Sequence, residues 1–166
     1  MKDIHYADYA AKAVEILSKG AFLNTTAEGI DNTMTIAWGS IGFMWGKPIF
    51  TVMVRKSRHT FELLEKNPEF TVSIPLNDMK SALGICGSKS GRDTDKFTVA
   101  KLEKLAGQKV STPAIQGAGL HFECKVVYKQ TMSDDHLQKA AADKWYTDKD
   151  WHTLYYGEIV SAYLED

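Results

Sequence analysis

Two short polar segments of the chain carry the residue types that bind phosphate groups. Residues 55–60 (RKSRHT) place three cations and two hydroxyl groups between a predicted strand and a predicted helix. Charge-assisted hydrogen bonds and the free amide groups of a helix N-terminus both favour a phosphate dianion. The alternative is a solvated basic turn in which Ser57 or Thr60 caps the helix.

Residues 88–93 (SKSGRD) present the same donor types in a predicted loop, residues 87–95. The alternative reading is a mobile surface loop, since loops of this composition are common. Two such segments in a chain with a formal net charge of -1 favour a phosphorylated ligand, although they do not identify it.

A third segment, residues 32–40 (NTMTIAWGS), resembles a strand that presents polar side chains among apolar ones. Asn32, Thr33 and Thr35 could hydrogen-bond the polar edge of a ring system, and Trp38 could offer an aromatic surface beside it. The alternative is an ordinary half-buried strand.

Other chemistry-bearing patterns are missing from the sequence. The Gly117–Gly119 pair leads into a strand rather than a helix, and residues 87–91 lack the spacing of a P-loop. The five histidines are dispersed, which predicts no metal site, and no GxSxG motif indicates a serine hydrolase.

The predicted elements favour an α+β fold. We predict a first helix that begins at Asp3 and is stopped by Gly20, followed by four further helices and five strands. Because strands and helices do not alternate regularly, a parallel doubly wound sheet is excluded and an antiparallel barrel with peripheral helices is favoured. The predicted strands are 33–39, 48–55, 70–74, 119–130 and 153–163, and the predicted helices are 59–66, 79–83, 96–105 and 133–144.

Composition places the chain among globular proteins. Its 166 residues, 44% hydrophobic and 25% charged, fit one domain, residues 1–166. The near-neutral charge excludes a basic field for nucleic acid or an anionic membrane. Cys86 and Cys124 form no CxxC pair, and the N-terminal residues contain no apolar signal sequence, which predicts free thiols and a cytoplasmic location.

Four segments in order resemble the flavin reductase-like proteins with an FMN-binding split β-barrel, particularly their flavoredoxin-like branch. The segments are 32–40, 55–60, 90–97 (SGRDTDKF) and 152–160 (HTLYYGEIV), and the similarity covers most of the chain from Ala21 onward. The resemblance implies a split barrel with peripheral helices, FMN as cofactor, and a homodimer with the flavin near the subunit interface.

The resemblance also implies roles for individual residues. Asn32, Met34, Thr35, Ala37 and Trp38 would line the flavin ring and ribityl chain. His152 matches the histidine that precedes the last strand of the family and is the expected catalytic residue. The remaining cofactor residues fall into a phosphate-binding set, Arg55, Ser57, Arg58 and Thr60, and a covering loop, Ser88, Ser90, Gly91 and Lys96.

The function implied is hydride or electron transfer through FMN, with NADH or NADPH as reductant and a flavin, a small molecule or a protein as acceptor. One alternative is an FMN electron carrier without a productive nicotinamide site, and another is a binding module that has lost the cofactor. The segment 134–151, which contains Trp145, Tyr146 and Trp151, would either cover a ligand site or simply pack.

Overall fold

An antiparallel sheet of eight strands forms the centre of the computed structural model, which describes residues 1–165. Its strands are β1 Lys2–Asp3, β2 Ala21–Ala27, β3 Ile30–Ile36, β4 Gly39–Met44, β5 Lys47–Arg55, β6 Glu69–Pro75, β9 Gly119–Thr131 and β10 His152–Leu164, while β7 Lys104–Leu105 pairs separately with β8 Ala114–Ile115. The strand order in the sheet is β3-β2-β6-β9-β10-β5-β4, and β1 pairs with the C-terminal end of β10.

The sheet is curled but not closed. Its two end strands, β3 and β4, follow one another in the chain and are separated only by Ala37 and Trp38. So short a connection keeps the ends of the sheet within roughly 10 Å of each other, because an extended chain spans about 3.3–3.6 Å per residue. The predicted α+β antiparallel split barrel is therefore confirmed, and Ala37 and Trp38 lie at the split.

Apolar side chains from alternate positions of the strands fill the inside of the curled sheet. Phe50 of β5 and Phe122 of β9 meet edge to face with ring centroids 5.4 Å apart. Gly157 of β10 lies at an irregularity in the pairing with β9, where an added Cβ would come within 2.5 Å of Phe70. The largest fully buried side chains include Tyr155, Tyr163, Phe22, Phe50, Phe70 and Phe122.

Within residues 1–165, five α-helices lie around the sheet, together with one short 3-10 helix at Asp134–His136. Helix α2 (His59–Lys66) follows β5 after a short turn, and α2, α3 (Lys80–Ser88) and α4 (Lys96–Val99) all contact β3. None of the helices in the described chain is long and apolar enough to span a membrane. The helices are α1 Tyr6–Leu17, α2 His59–Lys66, α3 Lys80–Ser88, α4 Lys96–Val99 and α5 Lys139–Trp145.

Some predicted element bounds were wrong. Asp3 does not cap α1, because it pairs with Tyr163 in the sheet while His5 occupies the cap position. The predicted helix 96–105 is a single turn, since Lys101 adopts a left-handed backbone with φ 53 and the chain then leaves the helix. Helix α3 extends to Ser88, and the predicted helix 133–144 is divided into the 3-10 turn and α5.

Candidate functional site

The turn between β5 and α2 presents the N-terminus of a helix to an open cavity. Arg58 precedes the first helical residue in an extended conformation, and its side chain does not cap the helix. The first amide groups of a helix have no intrahelical acceptor, so this end attracts negative charge. Thr60, on the first turn, is fully buried, and its hydroxyl oxygen accepts a hydrogen bond of 2.9 Å from the side-chain amide of Asn32.

The loop between α3 and α4 folds over this turn. Gly91 lies so close to β3 that an added Cβ would be 2.0 Å from Oδ1 of Asn32. Arg92 then crosses to the turn, where one guanidinium nitrogen donates to the carbonyl of Ser57 at 2.9 Å and another donates to Glu62 at 2.6 Å. The two polar segments found in the sequence are therefore in direct contact.

Lys96, on the first turn of α4, is buried beneath the loop. Its ammonium group donates to the carbonyl oxygens of Thr33 and Cys86 at 2.9 Å and 3.0 Å. Burial lowers the pKa of Lys96, and the same burial raises the pKa of the adjacent Cys86 thiol to about 11. Lys96 therefore fastens α3 to β3, and Cys86 is an unreactive thiol.

These elements enclose a cavity of about 200 Å³, which we call the polar cavity. Of the residues that the structure describes, four cations and no carboxylate line this cavity. A cavity with this lining and a helix N-terminus suits an anion such as a phosphate group. The lining residues are Asn32, Met34, Thr35, Ser57, Arg58, His59, Thr60, Cys86, Gly87, Ser88, Lys89, Ser90, Gly91, Arg92 and Lys96.

A second cavity of about 240 Å³, the aromatic cavity, shares Met34, Thr35 and Arg58 with the first. Trp38 meets Trp145 at a centroid distance of 5.0 Å and His152 at 5.5 Å. Because the two cavities share lining residues, they are adjacent, and we call the two together the groove, with a cationic end and an aromatic end. The aromatic cavity is completed by Ile36, Ala37, Met53 and Arg55.

The groove contains every cofactor residue that the sequence predicted. The structure places Arg55 in the aromatic cavity rather than the polar one. Its guanidinium group donates to the carbonyls of Trp145 and Asp150 at 2.7 Å and 3.0 Å, approaches Asp148 at 3.4 Å, and lies 5.0 Å from the ring centre of Tyr146. Arg55 thus holds the segment that follows α5.

Thr35 also has an internal partner. Its hydroxyl group donates to the carbonyl of Leu83 in α3 at 2.6 Å. The side-chain oxygen remains an acceptor, but its one proton is already used.

His152, the first residue of β10, pairs with Arg55 of β5 across the sheet. Burial, helped by the charges of Arg55 and Arg58 and opposed by that of Asp150, lowers the pKa of His152 to about 4. Its Nδ1 lies 2.6 Å from the hydroxyl of Tyr146. The imidazole is therefore neutral at physiological pH and cannot act as a cationic acid there.

Several lining residues were not predicted. Trp145 belongs to the segment 134–151, for which the sequence allowed either covering of a ligand site or simple packing, and it lines the aromatic cavity. Arg92 lies within the polar loop 88–93 and lines the polar cavity, but nothing in the sequence around it distinguished it from a solvent-exposed arginine. Within residues 1–165, no three His, Cys, Asp or Glu side chains are grouped so that they could hold a metal ion.

Residues 15–166 match the model of the flavin reductase like domain. The chain is 29% identical over 132 residues to the uncharacterized protein YddH of Escherichia coli (strain K12), and the match covers 79% of this chain. It covers 61% of YddH, so the chain spans less than two thirds of that relative.

Solved structures share the fold. Flavoredoxin from Methanosarcina acetivorans is 27% identical with a TM-score of 0.69, covering 89% of this chain and 68% of that one. The Streptomyces globisporus C-1027 NADH:FAD oxidoreductase SgcE6 is 18% identical with a TM-score of 0.68, covering 88% of this chain and 75% of that one, and at this identity it supports the fold alone. The chain belongs to the flavin reductase-like family.

Proposed function

We propose that this chain binds FMN in the groove, with the phosphate in the polar cavity and the isoalloxazine ring in the aromatic cavity. The observation that carries the proposal is the lining of the polar cavity, which combines four cations, a helix N-terminus and no carboxylate. The residues present therefore fit a phosphate group. The similar solved structures include flavoredoxins, which supports the choice of flavin.

Within this proposal, the chain acts as a flavin reductase-like oxidoreductase that uses NADH or NADPH. Bound FMN supplies hydride and single-electron chemistry. Ser57, Arg58 and Thr60 bind the phosphate, while Trp38 and Trp145 offer aromatic surfaces to the flavin ring in the aromatic cavity. Neutral His152 offers a hydrogen-bond donor on Nε2 when Tyr146 donates to its Nδ1.

The visible spectrum of the purified protein tests the cofactor, with a stoichiometric flavin signal expected. Anaerobic mixing of the flavin-loaded protein with NADH or NADPH then tests the activity, and loss of flavin absorbance is the expected result. Absence of bleaching with both nucleotides would contradict the reductase. A colourless protein that does not bind added FMN would contradict the cofactor proposal and support a module that has lost it.

A second candidate is an FMN electron carrier without a productive nicotinamide site. Trp145 favours it, because its ring lies against Trp38 in the aromatic cavity, where a nicotinamide would need to stack on the flavin. Trp145→Ala distinguishes the two candidates. Bleaching that appears only in the variant would support the carrier, whereas bleaching in the unaltered chain would support the reductase.

We also propose a cytoplasmic homodimer. Trp45 and Tyr128, whose ring centroids are 5.8 Å apart, are 60% and 44% exposed and together form an aromatic surface for a second copy to cover. Large exposed apolar clusters commonly mark interfaces. Light scattering should give twice the chain mass, and Trp45→Ser should shift the protein toward monomer; a monomeric unaltered chain would contradict the dimer.

A further inference from the structure

The backbone amide and hydroxyl group of Ser57 both donate to one carboxylate. Oδ1 of Asp150 accepts from the amide at 3.3 Å, and Oδ2 accepts from the hydroxyl at 2.5 Å. Ser57 lines the polar cavity, whereas Asp150 does not, so the carboxylate reaches Ser57 from outside the cavity. Both hydrogen-bond donors of Ser57 are therefore occupied by the carboxylate of Asp150.

The short segment that contains Asp150 is held by several further hydrogen bonds. Arg55 donates to the carbonyls of Trp145 and Asp150, and Asp148 accepts from the amide of Asp150 at 3.1 Å. Residues 145–151, which we call the covering segment, also bring Trp145 into the aromatic cavity. The Ser57–Asp150 contact thus joins the polar end of the groove to the residue that lines its aromatic end.

Ser57 has one hydroxyl proton and one amide proton, so it can serve only one anion through both groups at a time. A phosphate carries more charge than a carboxylate and offers three acceptor oxygens. We propose that Asp150 competes with the FMN phosphate for Ser57, and that phosphate binding releases the covering segment from this contact. This inference rests on the proposed function and assigns to the segment a role in adjusting flavin affinity.

The competition predicts an effect that depends on the phosphate. Asp150→Asn removes the negative charge while keeping the shape of the side chain. FMN should then bind about tenfold more tightly, because a charge-assisted hydrogen bond no longer has to be displaced. Riboflavin has no phosphate and gains nothing from the lost competition, so its affinity should not rise with that of FMN.

The experiment is a titration of each flavin, followed by quenching of its fluorescence, in the unaltered chain and two variants. Asp143→Asn is the matched control, because Asp143 lies on α5 and pairs with Lys139 rather than with the turn. We expect the FMN-to-riboflavin affinity ratio to rise about tenfold in Asp150→Asn and to stay constant in Asp143→Asn. An unchanged ratio in chains that bind both flavins would overturn the competition alone.

Hydrogen exchange provides a readout without flavin. In Asp150→Asn the amides of residues 145–151 should exchange faster than in the unaltered chain, while those of the central strands stay unchanged. Equal exchange of residues 145–151 in the variant and the unaltered chain would overturn the proposal that the Ser57–Asp150 contact holds the covering segment. Failure of the unaltered chain to bind either flavin would overturn the proposed function, and the competition with it.

Discussion

The hydroxyl group of Tyr146 lies 2.6 Å from Nδ1 of His152, and this contact ties the covering segment to the first residue of β10. Tyr146 also stacks on Trp151, with ring centroids 4.6 Å apart. The imidazole is consequently enclosed by aromatic rings on one side and faces Arg55 on the neighbouring strand. This environment, rather than any ion pair, determines its protonation.

The pKa of His152, lowered to about 4, predicts a pH-dependent stability. An unfolded histidine has a pKa of about 6.5, so protonation favours the unfolded chain. The stabilisation from neutral His152 is complete above about pH 6.5 and is lost as the pH falls toward the folded value of about 4. Urea unfolding at several pH values should show a shallower acid dependence for His152→Gln than for the unaltered chain. The exposed His136 provides the control, and an equal slope for both variants would contradict the prediction.

Gly91→Ala should disturb the polar cavity, because the new methyl group would collide with Oδ1 of Asn32. We expect a loss of about 1–3 kcal/mol in the free energy of unfolding, and weaker FMN binding. Gly84→Ala is the control, since a Cβ there meets nothing within 4 Å and alanine favours the helix. Equal stability of the two variants would show that the loop accommodates the methyl group.

Lys96→Met should destabilise the fold, because two buried carbonyl oxygens lose their charged donor. We expect a cost of about 1–3 kcal/mol in the free energy of unfolding, with both flavins bound more weakly. Lys89→Met, at an exposed position on the same cavity, should instead weaken FMN selectively and leave unfolding nearly unchanged. Selective loss of FMN in Lys96→Met would point to a direct phosphate contact.

Arg55→Ala separates two roles of one residue. If Arg55 acts by holding the covering segment, as its contacts with Trp145 and Asp150 indicate, the variant should weaken FMN and riboflavin alike. If it holds the phosphate, as the family resemblance implies, FMN alone should weaken, by about 1.5–3 kcal/mol. Paired titrations with the two flavins distinguish these outcomes, and Lys56→Ala controls for the loss of a cation from the same turn.

Local sequence signals predicted the elements on which the site depends. Helix α2 has the bounds that its apolar spacing and the following Pro68 indicate, since the residue before proline leaves the helical region. The strand ending at Arg55 was likewise predicted, because its β-branched and aromatic residues form a continuous run. The bounds of this helix and this strand depend on residues that are close together in the sequence.

The direction in which side chains point was not predictable in the same way. The orientation of Arg55 depends on carbonyl groups of Trp145 and Asp150, which follow it by more than half of the chain. Asp150 lies among other acidic and basic residues, and no local pattern marks it as the partner of Ser57. Such contacts become visible only when β10 is placed beside β5.

The position of β10 between β5 and β9 has a consequence for the synthesis of the protein. Both neighbours emerge from the ribosome before their shared partner, and their facing edges stay unpaired until β10 arrives. Unpaired strand edges attract other chains. Arg55 of β5 and His152 of β10 both line the aromatic cavity, so this part of the groove forms late, and a nascent chain that stalls before β10 exposes an edge that a chaperone could recognise.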